Sequence, residues 1–488
     1  MSAQFTLNHN PGETYSDWTE RFWLTVAGTK QLYRKEDGSL WHCAPGGLPA
    51  QIDHSLDEFQ GKIHNIIEFV KVQDGVLTST VLNRDLARLL LYSKQRQLLP
   101  VLASIVLEPA VIPDGKAGYR LTPAGYDELT GVYYHVAAGY TEIKVREGVE
   151  HLKKCFSGVP FFKEEFRNNL IAWLLGATVL DPAFGDSPFL VISGNKPNIG
   201  KSKTAEACGL ILTGSSPAPI EQGGEEFEKQ VSAQFLENQR FIFLDNIVSR
   251  DNSHSYHNNR LARLLTSGFS KRTRILGHSR RVTQQGVLFV GTANSCRLSS
   301  DLTERTLPIR LHKEVSSSME PFVLHYAREH RRELYGELLW LAIQKPSIKV
   351  ASDYAPTFRY KAWLEFVYPR IKEHFGNLAL DEVSEMDDAV TELFGYGLDT
   401  PVDFVGHDLL GVILKNQQRF PGLNERFASM SSEREKKLAF TKFLKSLLNA
   451  PHSPLPGTKI TLVEKQPYSR HQAATYGFVV ETTDEATV

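Results

Sequence analysis

Four short apolar runs stand in the middle of the chain: Phe189 to Ile192, Phe241 to Leu244, Val287 to Val290 and Leu307 to Leu311. Each is strand-length, and the stretches between them have helical character, so together they predict a largely parallel sheet buried between helices. Ahead of the first run, Phe161 to Leu180 is dense enough in apolar residues for a buried helix. Asp181, Pro182, Gly185, Asp186 and Pro188 then break the chain and mark the start of a new unit.

Outside this middle part the pattern changes. Residues 1–150 mix strand-like pieces, as at Lys30 to Cys43, with helical patterns at Asp57 to Val70 and Asn83 to Tyr92, and carry no catalytic signature. Beyond His312 the pattern is helical through Phe375, with Tyr326 to Gln344 the clearest amphipathic stretch, and a more acidic region follows at 381–400. Phe404 to Leu414 and Glu433 to Leu448 read as helices, Thr458 to Val463 and Ala474 to Glu481 as strands about a polar turn. Helices followed by a β-hairpin suggest a winged-helix module.

Composition narrows the class. Of 488 residues 41% are hydrophobic and 23% charged, and the formal net charge is −1, so any nucleic-acid surface must be a local patch. The four cysteines, Cys43, Cys155, Cys208 and Cys296, form no CxxC pair, which argues against a zinc site or a disulfide framework and for a reducing cytoplasm. The start of the chain has no basic segment followed by an apolar one, and no uncharged apolar run reaches membrane-span length, so neither secretion nor membrane insertion is expected.

The chemistry concentrates at 191–214, where an apolar strand meets a Gly- and Asn-rich loop and Gly200-Lys201-Ser202 opens a helix. That is a P-loop arrangement, in which backbone N–H groups cradle the phosphates of ATP. The candidate cofactor-binding set is Gly194, Asn195, Asn198, Ile199, Gly200, Lys201, Ser202 and Lys203. Lys201 is expected to reach the β/γ oxygens and Ser202 to ligate Mg²⁺. Where GxxxxGK[ST] has its first glycine this chain has Asn195, with Gly194 one place early; Asn tolerates the left-handed conformation well enough for the loop to turn.

Three further features complete the pattern. RFIFLDN at 240–246 is a strand ending in Asp245, a candidate Mg²⁺ carboxylate, although a strand-end Asp taken alone is more often merely solvated. A second acid normally follows such an Asp to polarise water, and here that place is Asn246; Glu225, Glu226 and above all Glu228 are the candidate bases, against the plainer reading of a Glu/Lys-rich surface helix. VLFVGTANS at 287–295 delivers Thr292 and Asn294 at a strand end, where an asparagine would position the lytic water. Arg305, in DLTERTLPIRL, is a candidate arginine finger for a neighbouring subunit's site, a residue that by itself would read as a surface salt bridge.

Residues 260–281 hold Arg260, Arg263, Lys271, Arg272, Arg274, Arg280 and Arg281 and no acid. Strand-like pieces flank Gly277-His278-Ser279, so a basic hairpin is expected, with Lys271, Arg272, Arg274, His278, Arg280 and Arg281 as candidate DNA contacts. A solvated basic hairpin with no ligand is the alternative.

Taken in order, the P-loop, the LDN strand, the GTAN strand and DLxxRxxPIRL resemble the superfamily 3-like AAA+ ATPase portion of phage, plasmid and genomic-island primase-helicases. Cassette-element and minichromosome-maintenance ring helicases share the logic. Upstream, LPVLASIVLEPAVIPDG at 99–115 and PAGYDELTGVYY at 123–134 look like the segment preceding the ATPase in that family. The resemblance implies an α/β P-loop AAA+ core at 151–312, an N-terminal accessory domain at 1–150, a helical lid at 313–400 and a winged-helix-like module at 401–488. It also implies a homo-oligomeric, usually hexameric, ring that hydrolyses ATP with Mg²⁺ between subunits and moves along single-stranded or forked DNA as the replicative helicase of a mobile element, with element-encoded replication partners. Where the family often has a double Arg, this chain has Glu304-Arg305, and with the upstream segment placed from residue 99 no primase module is expected before it. An ATP-switched loader or remodeller without processive unwinding is the second reading, which Asn246 keeps open. A DNA-binding protein with a vestigial P-loop is the third, and intact Lys201, Ser202, Asp245, Asn294 and Arg305 argue against it.

Overall fold

The computed structural model describes residues 3–44, 47–52, 55–116, 118–136, 142–194, 198–247, 256–275, 281–294, 298–312, 322–348 and 359–380, with positions 404–405, 440, 444, 451–452, 458–466 and 475–482 towards the C-terminus. The chain forms two compact units, one built from residues 1–294 and 298–383 and the other from 295–297 and 384–488.

In the first unit the four apolar runs become four parallel strands: β1 (Phe189–Gly194), β2 (Phe241–Ile247), β5 (Leu288–Asn294) and β6 (Thr306–Leu311). Their order across the sheet is β2-β5-β1-β6, so β5 lies between β1 and β2. Two helices, α1 (Lys201–Thr213) and α2 (Gly224–Leu236), connect β1 to β2. A short helix, α3 (Asn259–Leu264), and an antiparallel hairpin of β3 (Ser270–Arg274) and β4 (Arg281–Gln285) connect β2 to β5. The hairpin is the one the sequence predicts; its turn, with His278 and Arg280, lies outside the described residues.

The buried helix expected at 161–180 spans Glu164–Ala177, and Phe166 and every residue from Asn168 to Ala177 are buried. A helix apolar all round has to sit inside the molecule, and both of its polar interruptions use their amide nitrogens on distant backbone. Asn169 Nδ2 donates to the carbonyls of Pro308 (3.0 Å) and Ala379 (2.9 Å), and Asn168 Nδ2 to those of Phe375 (3.1 Å) and Asn377 (2.9 Å), which ties the segment after the last helix to the edge strand β6. Helices Phe322–Glu329, Arg331–Ile343 and Lys361–His374 supply much of the remaining cover. The stretch from Tyr326 to Gln344 is therefore two helices broken at His330. The second of them is buried on most sides rather than one-sided, down to Glu337, whose carboxylate accepts the His151 (3.0 Å) and Leu152 (2.9 Å) N–H groups that open helix Glu150–Phe156.

The N-terminal hundred residues have their own aromatic core, including Phe5, Trp18, Phe22, Trp23, Phe59 and Phe69. The helix expected at Asp57 to Val70 stops at Ile66, and Ile67–Gln73 is a strand, parallel to Ala3–Thr6 and antiparallel to Val76–Ser79. The reason is a change of period: Ile67 and Phe69 are buried around an exposed Glu68, an alternation that a sheet satisfies and a helix does not.

In the second unit, Thr458–Gln466 and Thr475–Thr482 pair antiparallel as the expected hairpin and lie inside a four-stranded sheet with Phe404–Val405 and Pro451–His452 at its edges. Phe404–Val405 is thus strand where a helix was expected, paired with Tyr476 and Thr475; the rest of that expected helix lies outside the described residues. Phe440 and Leu444 are helical and buried. Among the described residues no helix is long and apolar enough to cross a membrane.

Gly176 shows how closely the central helix packs: a Cβ there would lie 2.1 Å from Nε1 of Trp363 and within 3.1 Å of two more ring atoms. Gly176→Ala should therefore destabilise the fold by about 1–3 kcal/mol, because the overpacking outweighs the ~1 kcal/mol of helix propensity gained. Urea unfolding checks this; an unchanged or raised midpoint would show that the Trp363 ring yields.

Candidate functional site

The site forms where the parallel strands end. Residues 189–193 of β1 are buried, and the chain leaves the sheet at Gly194, where a Cβ would lie 2.1 Å from Ile199 Cδ1. Ile199 is itself buried and folds the loop back onto its own beginning. Two described loop residues have left-handed backbone, Asn198 at φ 59° and Gly200 at φ 97°, the residue types that carry it at least cost. Asn195, expected to stand in for the missing glycine, lies outside the described residues.

The N-cap of α1 is Gly200, which has no side chain to cap that helix start. The first N–H groups of a helix without a side-chain cap, at the positive end of its dipole, suit an anion. Lys201 opens the helix at 8% exposure, and burial pushes its ammonium below the usual lysine range while Asp245 pulls it back up. Lys203 is in the same turn but points elsewhere, paired with Glu206 at 3.0 Å.

Ser202 Oγ donates to Asp245 Oδ1 at 2.7 Å. Thr292, on the strand between, donates to the same oxygen at 2.6 Å, and its hydroxyl accepts the Asn246 N–H at 2.8 Å. The pairing of β2 with β5 slips between Leu244 and Ile247, so Asp245 and Asn246 form a bulge, and Asn246 has φ 52°. This accounts for the absence of a second acid: a left-handed position costs most L residues about 1–2 kcal/mol and suits Asn, so Asn246 belongs to the turn that aims Asp245. Gly291 lets the strands close up, since a Cβ there would lie 2.4 Å from Ile247 Cδ1 and 2.8 Å from Phe189 Cζ.

The other expected residues are differently placed. Asn294 is in register with Gly194 at the same end of the sheet. Arg305 is at the opposite end: it precedes β6, whose first residue pairs with Phe189, about 17 Å away along a six-residue strand. It is 8% exposed, its guanidinium bonds the Asp301 carboxylate and carbonyl, and its own carbonyl accepts the Phe189 N–H at 2.8 Å. Glu228 is not with the Asp245 cluster either, being paired with Arg260 (3.3 Å) and Arg263 (3.5 Å).

The basic stretch contains no acid in sequence, but the fold supplies several. Lys271 is 2% exposed and paired with Asp186, Arg272 is paired with Glu36 at 2.9 Å, and Arg260 and Arg263 share Glu228. Arg274 and Arg281 are exposed and directly opposite one another across the hairpin. Like charges so placed repel, which an anion between them would relieve.

Sequence reasoning missed the part played by Thr292, and it missed Gln222, whose Nε2 donates to the Asn246 carbonyl at 2.8 Å. Thr292 carried a signal, a polar residue two places beyond a buried valine on a strand, but its partner depends on which strands are neighbours. Gln222 sits in a polar connection with no periodicity at all.

No family model matches this chain, and no curated protein does. Among solved structures it is similar to the apo A form of the NrS-1 C-terminal region, at 13% identity and a TM-score of 0.40, over 88% of this chain and 85% of that one. It is also similar to the X-ray structure of JCV Helicase, at 15% identity and a TM-score of 0.24, over 48% of this chain and 74% of that one.

Proposed function

We propose that the chain is an ATP-hydrolysing DNA helicase or translocase with a P-loop AAA+ core, working as a homo-oligomeric ring. The observation that carries this reading is the 2.7 Å bond between Ser202 Oγ and Asp245 Oδ1 at the mouth of a helix that has a glycine N-cap and begins with Lys201. In this reading the α1 N–H groups and Lys201 bind the β- and γ-phosphates, and Asn294 orients water. Arg305 would act across a subunit interface, which requires it to leave Asp301.

The donor set fits Mg²⁺. Two adjacent ligands of an octahedral ion at 2.0–2.1 Å lie about 3 Å apart, close to the separation of the Ser202 and Asp245 oxygens. Among the described residues no cluster of three or more His, Cys, Asp or Glu could cage a metal, which suits an ion completed by phosphate and water. When bound, the ion would neutralise charge developing on the phosphates. The conformation of Asn246 and the engagement of Glu228 favour slow intrinsic hydrolysis, and with it the second reading, an ATP-switched loader or remodeller. Measuring ATP turnover with and without single-stranded DNA, beside fork unwinding, separates the two: DNA-stimulated turnover without unwinding selects the second.

Lys201→Met should abolish turnover without destabilising the protein. The folded-state pKa of Lys201 lies below its unfolded value, so at neutral pH its charge opposes folding, and that cost is relieved as pH rises through the folded pKa towards the ordinary lysine value. The denaturation midpoint of the variant should equal or exceed wild type at pH 7, and wild type should gain on it as pH rises. Undiminished turnover in the folded variant would remove the ATPase reading.

Arg274→Ala with Arg281→Ala should weaken single-stranded DNA binding about equally for all sequences and flatten its log–log salt slope by up to about two, if each neutralises one phosphate. Titrations at several salt concentrations decide, and an unchanged slope puts the DNA path elsewhere.

A further inference from the structure

The Asp245–Asn246 bulge is held from two sides. Thr292 accepts the Asn246 N–H, and from the other side Gln222 Nε2 donates to the carbonyls of Asp245 and of Asn246, the latter at 2.8 Å. One amide nitrogen with two hydrogens can serve both carbonyls. Gln222 lies two residues before α2, and its main-chain carbonyl is used as well: it accepts from Asn258 Nδ2 at 2.8 Å and from the Tyr256 hydroxyl at 3.2 Å. Asn258 is the N-cap of α3, its Oδ1 accepting the Arg260 (3.1 Å) and Leu261 (3.0 Å) N–H groups. Arg260 reaches back to the Gly224 carbonyl at the start of α2, and further along that helix Ser232 Oγ donates to the Arg274 carbonyl on β3 at 2.9 Å. The side chain of Gln222 is thus on the acid strand, while its main chain is tied to the two helices that lead to and support the basic hairpin.

We propose that Gln222 is a positioning residue that sets the geometry of the Asp245 bulge and couples it to the hairpin through Asn258 and α2. The proposal rests on reading Asp245 as the acid of a nucleotide site. Gln222 Nε2 donates to main-chain carbonyls of the bulge and acts on the Asp245 carboxylate through the backbone that carries it. A displacement of the hairpin by a bound phosphodiester backbone moves α2 and α3, and these move the carbonyl of Gln222. Its amide then tightens or releases a bulge that has a left-handed residue and that, among the described residues, is held by hydrogen bonds from Thr292 on one side and Gln222 on the other. Coupling of this kind needs an element with two arrangements that both sites bias, and the bulge is that element.

The decisive variant is Asn258→Asp, which keeps the cap, Asp and Asn being equally good there, and replaces the donor to Gln222 by an acceptor. Three measurements on the full chain test the proposal. Amide exchange in the absence of nucleotide should rise at Asn246 and Ile247 in Asn258→Asp, and rise further in Gln222→Ala. Single-stranded DNA stimulation of ATP turnover should fall at least threefold in Asn258→Asp. In Gln222→Ala, kcat should fall by about tenfold, the rate equivalent of one hydrogen bond, while affinity for a non-hydrolysable ATP analogue stays within about twofold. A variant that merely unfolds would lose both. Unchanged exchange at the bulge in Asn258→Asp overturns the proposal whether or not the protein hydrolyses ATP; absent wild-type turnover with raised exchange condemns the ATPase reading and leaves the mechanical link standing. Wild-type kcat in Gln222→Ala, or undiminished DNA stimulation in Asn258→Asp, also overturns it.

Discussion

One carboxylate oxygen, Asp245 Oδ1, receives hydrogen bonds from two hydroxyls on two different elements, Ser202 at the start of α1 and Thr292 on β5. The strand leading into α1 and the strand carrying Asp245 are not neighbours, since β5 lies between them. The oxygen therefore joins all three only if the sheet is parallel, its order is β2-β5-β1 and the strands end level. Gly194 opposite Asn294 supplies that level end, and the bulge after Leu244 turns the carboxylate across β5 rather than along it. Any ligand chemistry at this mouth depends on that alignment.

Packing beneath the sheet holds the alignment. The helix Glu164–Ala177 is buried too fully to stand anywhere but the interior, and its two asparagines use their amides on backbone from both β6 and the chain that follows the last helix. A buried polar side chain costs little when its hydrogen bonds are complete, as they are at Asn169, whose oxygen also accepts the Ala379 N–H, and it then specifies a single arrangement. Glu337 acts in the same way, as a buried carboxylate capping a helix from a distant part of the chain. Small residues do the complementary work where backbone has to approach, at Gly176 against Trp363 and at Gly291 between Ile247 and Phe189.

The hairpin shows charge being reassigned by the fold. Seven cations without an acid in one stretch of sequence look like a continuous phosphate track. In three dimensions Asp186, Glu36 and Glu228 come from three separate parts of the chain and neutralise four of them. Pairs of this kind fix the hairpin and the helix before it to their surroundings.

Much was legible without the structure. The apolar runs located all four core strands to within a few residues, because a strand buried on both faces has to be uninterruptedly apolar. Gly200-Lys201-Ser202 located the helix start, because only small or left-handed-tolerant residues can make the turn into it. The N-terminal helix at Asp57 was read past its end because a short alternating run resembles one helical face until its partner strand, Ala3–Thr6, is known. The sequence by itself determined where the four core strands lie and where the helix after the glycine-containing loop begins. Tertiary structure alone decided that Thr292 meets Asp245, that Asn246 is a turn residue in the place of a base, that Arg305 stands at the far end of its strand, and that Gln222 touches the site. Each of those is a contact between segments distant in the chain, set by sheet order and register, and local pattern carries no information about which distant residue will arrive.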